Sequence, residues 1–201
     1  CVAKKASKDK VEKLKNISCH LGGGASGCAI KNGKAIDTSM GFTPLEGLVM
    51  MTRSGNIDAG IVLKLVEEFG IEETNEILNK ESGVKGICGE SDMLRILEKI
   101  RNPEAADRRR AELALDVFVY SIQKYIGSYF AILGGCDILV FTGSIGSGSA
   151  KIRNMICKDL TILKIPTAKP SRIHDSKAIG TKIMAIETDE ELAIAQKIIK
   201  I

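Results

Sequence analysis

Hydrophobic positions fall into three successive patterns along this chain, and each predicts a different kind of element. Near the start, Ile17, Cys19 and Leu21 alternate with Ser18 and His20, which predicts a strand over 17–21 with one face buried. A polar, helix-prone stretch (3–15) precedes it. After the run Gly22-Gly23-Gly24-Ala25-Ser26, a second strand is expected over 27–31, ending at Asn32-Gly33. That dipeptide favours a type I′ hairpin turn, which needs positive φ at both central residues. A third strand over 35–39 then completes an antiparallel meander.

In the middle of the chain the apolar spacing changes to three and four. Asp58 or Asn56 can cap a helix carrying Ile61, Val62, Leu65, Val66 and Phe69, which Gly70 ends. A short helix over 72–80 follows, and Ser91 is expected to open another with Met93, Leu94, Leu97 and Ile100 on its apolar side. A long helix starts near Pro103 and carries Leu115, Phe118, Ile122, Tyr125, Ile126, Tyr129 and Leu133 until Gly134-Gly135 stops it. The third pattern is the continuous apolar run Ile138-Leu139-Val140-Phe141, expected of a strand covered on both faces. A glycine- and serine-rich loop over 142–149 follows it, then a helix with Ile152, Met155 and Ile156. A last strand over 182–187 feeds a helix from Asp189, with Thr188 and Glu191 as a capping box. This order predicts an α/β domain with a mixed sheet and an inserted helical section, roughly 56–102.

Composition narrows the class only modestly. The 201 residues are 44% hydrophobic and 27% charged, and 29 Lys and Arg against 25 Asp and Glu leave a net charge of +4. Basic residues gather in 4–15 and at Arg108 to Arg110, interleaved with acids or apolar positions. They read as solvated helix faces, and no nucleic-acid partner is expected. Six cysteines and two distant histidines, His20 and His174, form no Cys-x-x-Cys pair or zinc spacing. Cysteines in apolar surroundings suit a reducing, cytoplasmic setting. No run approaches the roughly 20 apolar residues of a membrane span, so no membrane partner is expected. The chain opens on Cys1 rather than Met, so this residue is not expected to start the natural protein.

Two loops that follow strands carry the candidate chemistry. Glycine there lets backbone N–H groups approach an anionic ligand with no Cβ in the way; a plain tight turn is the alternative for either loop alone. Gly22-x-Gly24-x-x-Gly27 matches the dinucleotide fingerprint in letters, but that motif must open a helix and here a strand follows. Gly143 and Gly148 have P-loop spacing, yet Ser149-Ala150 stands where Lys-Ser/Thr is required. What remains is a phosphate loop at a hairpin turn, plus a second loop between a buried strand and a helix N-terminus.

The segment His20-Leu21-Gly22-Gly23-Gly24-Ala25-Ser26 resembles the His-Leu-Gly-Asn-Gly-x-Ser segment of acetate kinases. Asp37-Thr38-Ser39-Met40-Gly41-Phe42-Thr43-Pro44-Leu45-Glu46-Gly47-Leu48-Val49-Met50, continuing through Thr52-Arg53-Ser54-Gly55-Asn56-Ile57-Asp58, is similar to that family's most recognisable stretch. The likeness runs on through Phe141-Thr142 and Ile145-Gly146 to Thr188-Asp189-Glu190-Glu191-Leu192. It covers nearly the whole chain but only the C-terminal half of the family's length. The resemblance implies a ribonuclease H-like nucleotide-binding domain of the actin, sugar kinase and heat-shock ATPase superfamily. It implies a cytosolic homodimer that moves the γ-phosphate of ATP to acetate or a similar short carboxylate, giving acetyl phosphate and ADP, with Mg2+.

Carried over by motif, the resemblance puts nucleotide contacts on His20, Leu21, Gly22, Gly23 and Gly24, on Asp92, Met93 and Leu94, and on Ser144, Ile145, Gly146, Ser147 and Gly148. It puts the transition-state arginine on Arg53 and the magnesium-linked glutamate on Glu190. Without the resemblance, His20 reads as a solvent-facing strand residue, Arg53 as a salt-bridge partner and Glu190 as an acid favoured in a first helical turn. Gly23 stands where the family has asparagine, Leu94 where it has arginine with Arg95 one residue late, and Ser144, Ser147 and Gly148 where it has Gly, Glu and Asn. The family's upstream domain supplies a catalytic aspartate, a carboxylate-binding arginine and a metal-binding asparagine, none of which can be placed here. On this reading the chain binds nucleotide but does not turn over alone. A non-catalytic nucleotide-binding or dimerisation module is the competing reading.

Overall fold

The computed structural model describes residues 14–101, 105–163 and 181–187. Most of the helix-prone N-terminal run, Pro103, His174, the Thr188/Glu191 capping box and Glu190 lie outside these residues.

The expected meander is present as β1 (Lys15–Leu21), β2 (Ala25–Lys31) and β3 (Lys34–Thr38), paired antiparallel. Asn32 and Gly33 both take positive φ, 53° and 77°, as the type I′ turn demands. β4 (Ile138–Thr142) and β5 (Lys182–Ala185) add in parallel on the other side of β1, giving the order β3-β2-β1-β4-β5. This is the mixed sheet that the pattern of strands and helices implied, within the α/β fold that the resemblance implied. All five residues of β4 are buried, which is why that strand reads as an unbroken apolar run.

Among the described residues, four α-helices precede β4. Asp58 caps α1 (Ala59–Lys80), its carboxylate accepting from the Gly60 N–H at 2.6 Å. Gly70 leaves helical geometry (φ 79°, ψ 172°), so α1 is two pieces joined at the glycine expected to end the first. α2 (Gly83–Cys88) is a six-residue helix that no periodicity announces. α3 (Met93–Arg101) and α4 (Ala105–Leu133) follow, and Gly134 and Gly135 end α4 with φ of 65° and 123°.

Two expectations need correction. The first piece of α1 does not fully bury the stripe its spacing suggests: Ile61 and Phe69 are exposed, Val62, Leu65 and Val66 are half-buried, and among the described residues of α1 only Thr74 and Leu78 are buried. The segment after β4 is not a loop but a short helix, α5 (Gly143–Gly148), followed at once by α6 (Ala150–Lys158). Three glycines and two serines have poor helix propensity. Contacts override it: Ile145 is buried against the core, and within the helix the Ser147 hydroxyl donates to the Gly143 carbonyl at 2.7 Å. Ser149 caps α6 by accepting from the Ile152 N–H at 3.3 Å.

The core forms where one sheet face meets α4. Ile17, Cys19 and Leu21 of β1, Ala25 and Ala29 of β2, and Leu139 and Phe141 of β4 pack with Leu115, Phe118, Ile122, Ile126 and Tyr129 of α4 and Ile152 and Ile156 of α6. On the opposite face, Ile138, Val140 and Ile186 form a smaller cluster with Leu14 and Met184. Burial pushes the thiols of Cys136 and Cys157 up to about 12, and that of Cys19 further. At pH 8 only about one such thiol in ten thousand is the reactive thiolate. Cys19, Cys136 and Cys157 are therefore expected to resist a thiol reagent in the native protein and to react together on denaturation. Rapid native labelling at these three positions would contradict the packing.

Candidate active site

The parallel register of β1 and β4 sets His20 beside Thr142. Their side chains meet, His20 Nδ1 lying 3.0 Å from Thr142 Oγ1. With the hydroxyl donating, the ring is held in place and Nε2 remains as the nitrogen available to a ligand. Each strand then runs straight into a glycine-bearing segment, so the first loop (Gly22–Gly24) and α5 emerge side by side. The Gly22 N–H turns back to donate to the Gly24 carbonyl at 2.9 Å. A Cβ on Gly22 would stand 3.5 Å from Ser144 Oγ, and one on Gly24 would stand 3.8 Å from an Arg53 guanidinium nitrogen. His20, the first loop, Ser144 and Arg53 therefore share one end of the sheet.

The Arg53 main chain is held there by backbone hydrogen bonds. The Met50 N–H donates to the Arg53 carbonyl at 3.1 Å, closing a tight turn, and the Met51 N–H donates to the Gly23 carbonyl at 3.2 Å. From the far side, the first N–H groups of α2 and its flank grip the same turn. Ser82 donates to Thr52 at 3.0 Å, Val84 to Met50 at 3.0 Å and Lys85 to Met51 at 2.9 Å. These N–H groups would otherwise lack intrahelical partners. α2, missed in the sequence, is thus the element that fixes the arginine relative to the glycine loop. The guanidinium is half-buried, with Nη1 3.7 Å from Met50 Sδ, and no carboxylate among the described residues pairs with it. The salt-bridge reading of Arg53 thereby loses its partner in the described chain.

The other expected positions divide by burial. Leu21 and Ile145 point into the core, so only their backbone can serve a ligand, whereas Gly23, Gly24, Ser144 and Gly148 are exposed. Gly146 is buried and Ser147 half-buried. Asp92, Met93 and Leu94 belong to the start of α3, which packs on α4. Met93 is buried there, and Leu94 is 69% exposed. Asp92, rather than Ser91, opens the helix by accepting from the Leu94 N–H at 2.8 Å. Glu90 assists: the Asp92 N–H above all, and that of Ser91, hold its carboxyl below the ordinary range. Arg95 faces this carboxylate at 3.9 Å. Among the described residues no group of three or more His, Cys, Asp or Glu side chains could hold a metal ion. No helix among them is long and apolar enough to cross a membrane.

One further residue enters from α6. Arg153 is buried, and a guanidinium nitrogen donates to the carbonyls of Gly146 at 2.8 Å and Ser147 at 2.7 Å. Loss of water around it draws its pKa down from the ordinary arginine value.

This architecture has close counterparts. The acetokinase family model matches residues 2–196. The acetate kinase of Campylobacter concisus is 47% identical over 195 residues, covering 92% of this chain and 48% of that protein. The crystal structure of acetate kinase from Entamoeba histolytica superposes with a TM-score of 0.89 at 35% identity, covering 100% of this chain and 55% of the other. A propionate kinase structure from Francisella tularensis superposes with a TM-score of 0.85 at 39% identity, covering 98% and 52%. The chain spans about half the length of the curated relatives it matches. On a family match spanning residues 2–196 and relatives of this identity, the chain belongs to the acetokinase family.

Proposed function

We propose that this chain is the ATP-binding half of a phosphotransferase that moves the γ-phosphate of ATP to acetate or a similar short carboxylate, reversibly. The observation that carries the reading is the convergence of His20, Gly22–Gly24, Arg53 and Ser144 at one end of β1 and β4. The N–H groups of the exposed Gly23 and Gly24 suit phosphate oxygens, and a planar, permanently charged guanidinium suits the equatorial oxygens of a phosphoryl group in transfer. In that transfer a carboxylate oxygen attacks the γ-phosphorus while the bond to the β–γ bridging oxygen breaks, and ADP leaves. His20, its Nδ1 engaged by Thr142, presents Nε2 to phosphate. Ser144 and Gly148 flank the nucleotide together with the start of α3, where Asp92 and the exposed Leu94 stand.

Mg2+, when bound, neutralises phosphate charge. The described residues offer it no carboxylate cluster, and Glu190 is proposed for that role on the resemblance alone. The acid is left as a short carboxylate because structural neighbours include both an acetate and a propionate kinase. The upstream half of the family's length would supply the carboxylate site, so the chain alone is expected to bind nucleotide without turnover. The exposed apolar side of α1 favours cover by a second copy or by that upstream half, in keeping with a homodimer.

Calorimetric titration of the 201-residue chain with MgATP and MgADP tests the reading. Saturable binding, lost in Gly24→Val, is the expected result. Absence of binding up to millimolar nucleotide would remove it. Binding without acetyl phosphate formation, even when the upstream half is supplied, would favour the non-catalytic module instead.

A further inference from the structure

Arg153 is an anomaly in the chain's charge pattern. It lies between Ile152 and Ile156 on the buried side of α6, where an unpaired cation is costly. Among the described residues no carboxylate pairs with it. Its partners are two carbonyls from the C-terminal half of α5. Within that helix Gly143 O accepts from the Ser147 hydroxyl and Ile145 O from the Ser149 N–H. Gly146 O and Ser147 O receive the guanidinium. The C-terminal carbonyls of a helix carry partial negative charge and lack intrahelical donors, so a buried cation is well placed there.

We propose that Arg153 is a positioning residue for the nucleotide segment Ser144–Gly148, clamping the carbonyls of Gly146 and Ser147 from behind so that the exposed side of α5 is held ready for the ligand. The proposal rests on the nucleotide reading above. α5 is anchored to the first loop at its start, where Ser144 neighbours Gly22, and by Arg153 at its end. Its glycine-rich composition supplies little rigidity of its own. The clamp replaces what propensity withholds, and it leaves Ser144 and Gly148 exposed for contact.

The test uses the 201-residue chain, MgADP as the probe, and two readouts: ADP affinity, and hydrogen exchange of the amides of 143–149 without nucleotide. Arg153→Met leaves both carbonyls unpaired. It is expected to weaken ADP by about tenfold or more and to speed exchange over 143–149. Arg153→Lys keeps the charge with fewer donors and is expected to weaken ADP by about two- to fourfold. The matched control is Gln123→Met, which removes two hydrogen bonds from α4 to the carbonyls of Met155 and Ile156 at the other end of α6. It is expected to lower the melting temperature while leaving ADP affinity and exchange over 143–149 unchanged.

Equal ADP affinity in Arg153→Met and wild type would overturn the proposal, as would an equal loss in Gln123→Met. Should Arg153→Met not fold, Arg153→Lys decides: a weaker site with faster exchange over 143–149 supports the clamp, and no change in either refutes it. Should the wild-type chain bind no ADP, the nucleotide reading falls. Exchange alone then decides whether Arg153 holds this segment.

Discussion

In a protein carrying the family's full length, Arg53→Ala is expected to lower kcat by about three orders of magnitude or more, with a much smaller change in nucleotide affinity. A guanidinium that meets developing charge on the transferred phosphoryl is worth on the order of 10³–10⁵ in rate. Its geometry here supports that use. The side chain is only half-buried, carries no carboxylate partner among the described residues, and stands beside Gly24. A structural arginine would show the opposite: burial, a paired carboxylate or carbonyls, and loss of stability when truncated. Arg53→Lys should recover little, because a point charge cannot span two oxygens as a planar fork does. Steady-state kinetics with both substrates varied, alongside thermal melts, decide the matter. A fall in kcat below about tenfold would place Arg53 outside the transition state.

The contrast between Arg53 and Arg153 shows what could be read from the chain beforehand. Strand alternation at Ile17–Leu21, the Asn32-Gly33 turn and the apolar run 138–141 depend on local geometry, and each appears where expected. α2 and α5 were not legible, because Gly83–Cys88 and Gly143–Gly148 are helical through contacts made elsewhere in the fold. The stripe on α1, half-buried at Val62, Leu65 and Val66 and exposed at Ile61 and Phe69, differs for the converse reason: periodicity reports an apolar face, not what covers it. At the site, both glycine-rich segments are legible as following strands, the second of them a helix rather than a loop, but only the parallel register of β1 with β4 brings His20 to Thr142. Arg53 was named by resemblance to a family, and its neighbours came from the structure. A local signal for Arg153 did exist: a charged residue on a helical stripe otherwise made of Ile152, Ile156 and Cys157, all buried. A cation in such a place implies an acceptor nearby. Which acceptor depends on α5 being a helix, and its composition argues against that.

Gly83→Ala is expected to reduce kcat by about a hundredfold without altering a single group that touches substrate. Gly83 opens α2 at φ 61°, a left-handed conformation that costs an alanine about 1 kcal/mol. The larger effect is steric. A Cβ at this position would overlap the carbonyl oxygens of both Met50 and Arg53, the two residues that close the turn carrying the guanidinium. Backbone carbonyls cannot swing aside as a flexible side chain can, so either α2 or the turn must move. If α2 moves, the N–H groups of Ser82, Val84 and Lys85 lose the carbonyls of Thr52, Met50 and Met51. If the turn moves, Arg53 shifts against Gly24, and Met51 loses its hold on Gly23. Either route displaces the arginine by a fraction of an ångström to one ångström, and misplacement of that size can cost about 10² in rate. Nucleotide affinity, which on the proposed reading depends on the N–H groups of the first loop and on α5, should change less than fivefold. The signature is therefore a drop in kcat with a folded, nucleotide-competent protein. Ser82→Ala, which leaves the backbone donors in place, should retain nearly full activity. If Gly83→Ala instead lowers nucleotide affinity and kcat together, or leaves both intact, α2 is not the support that fixes Arg53.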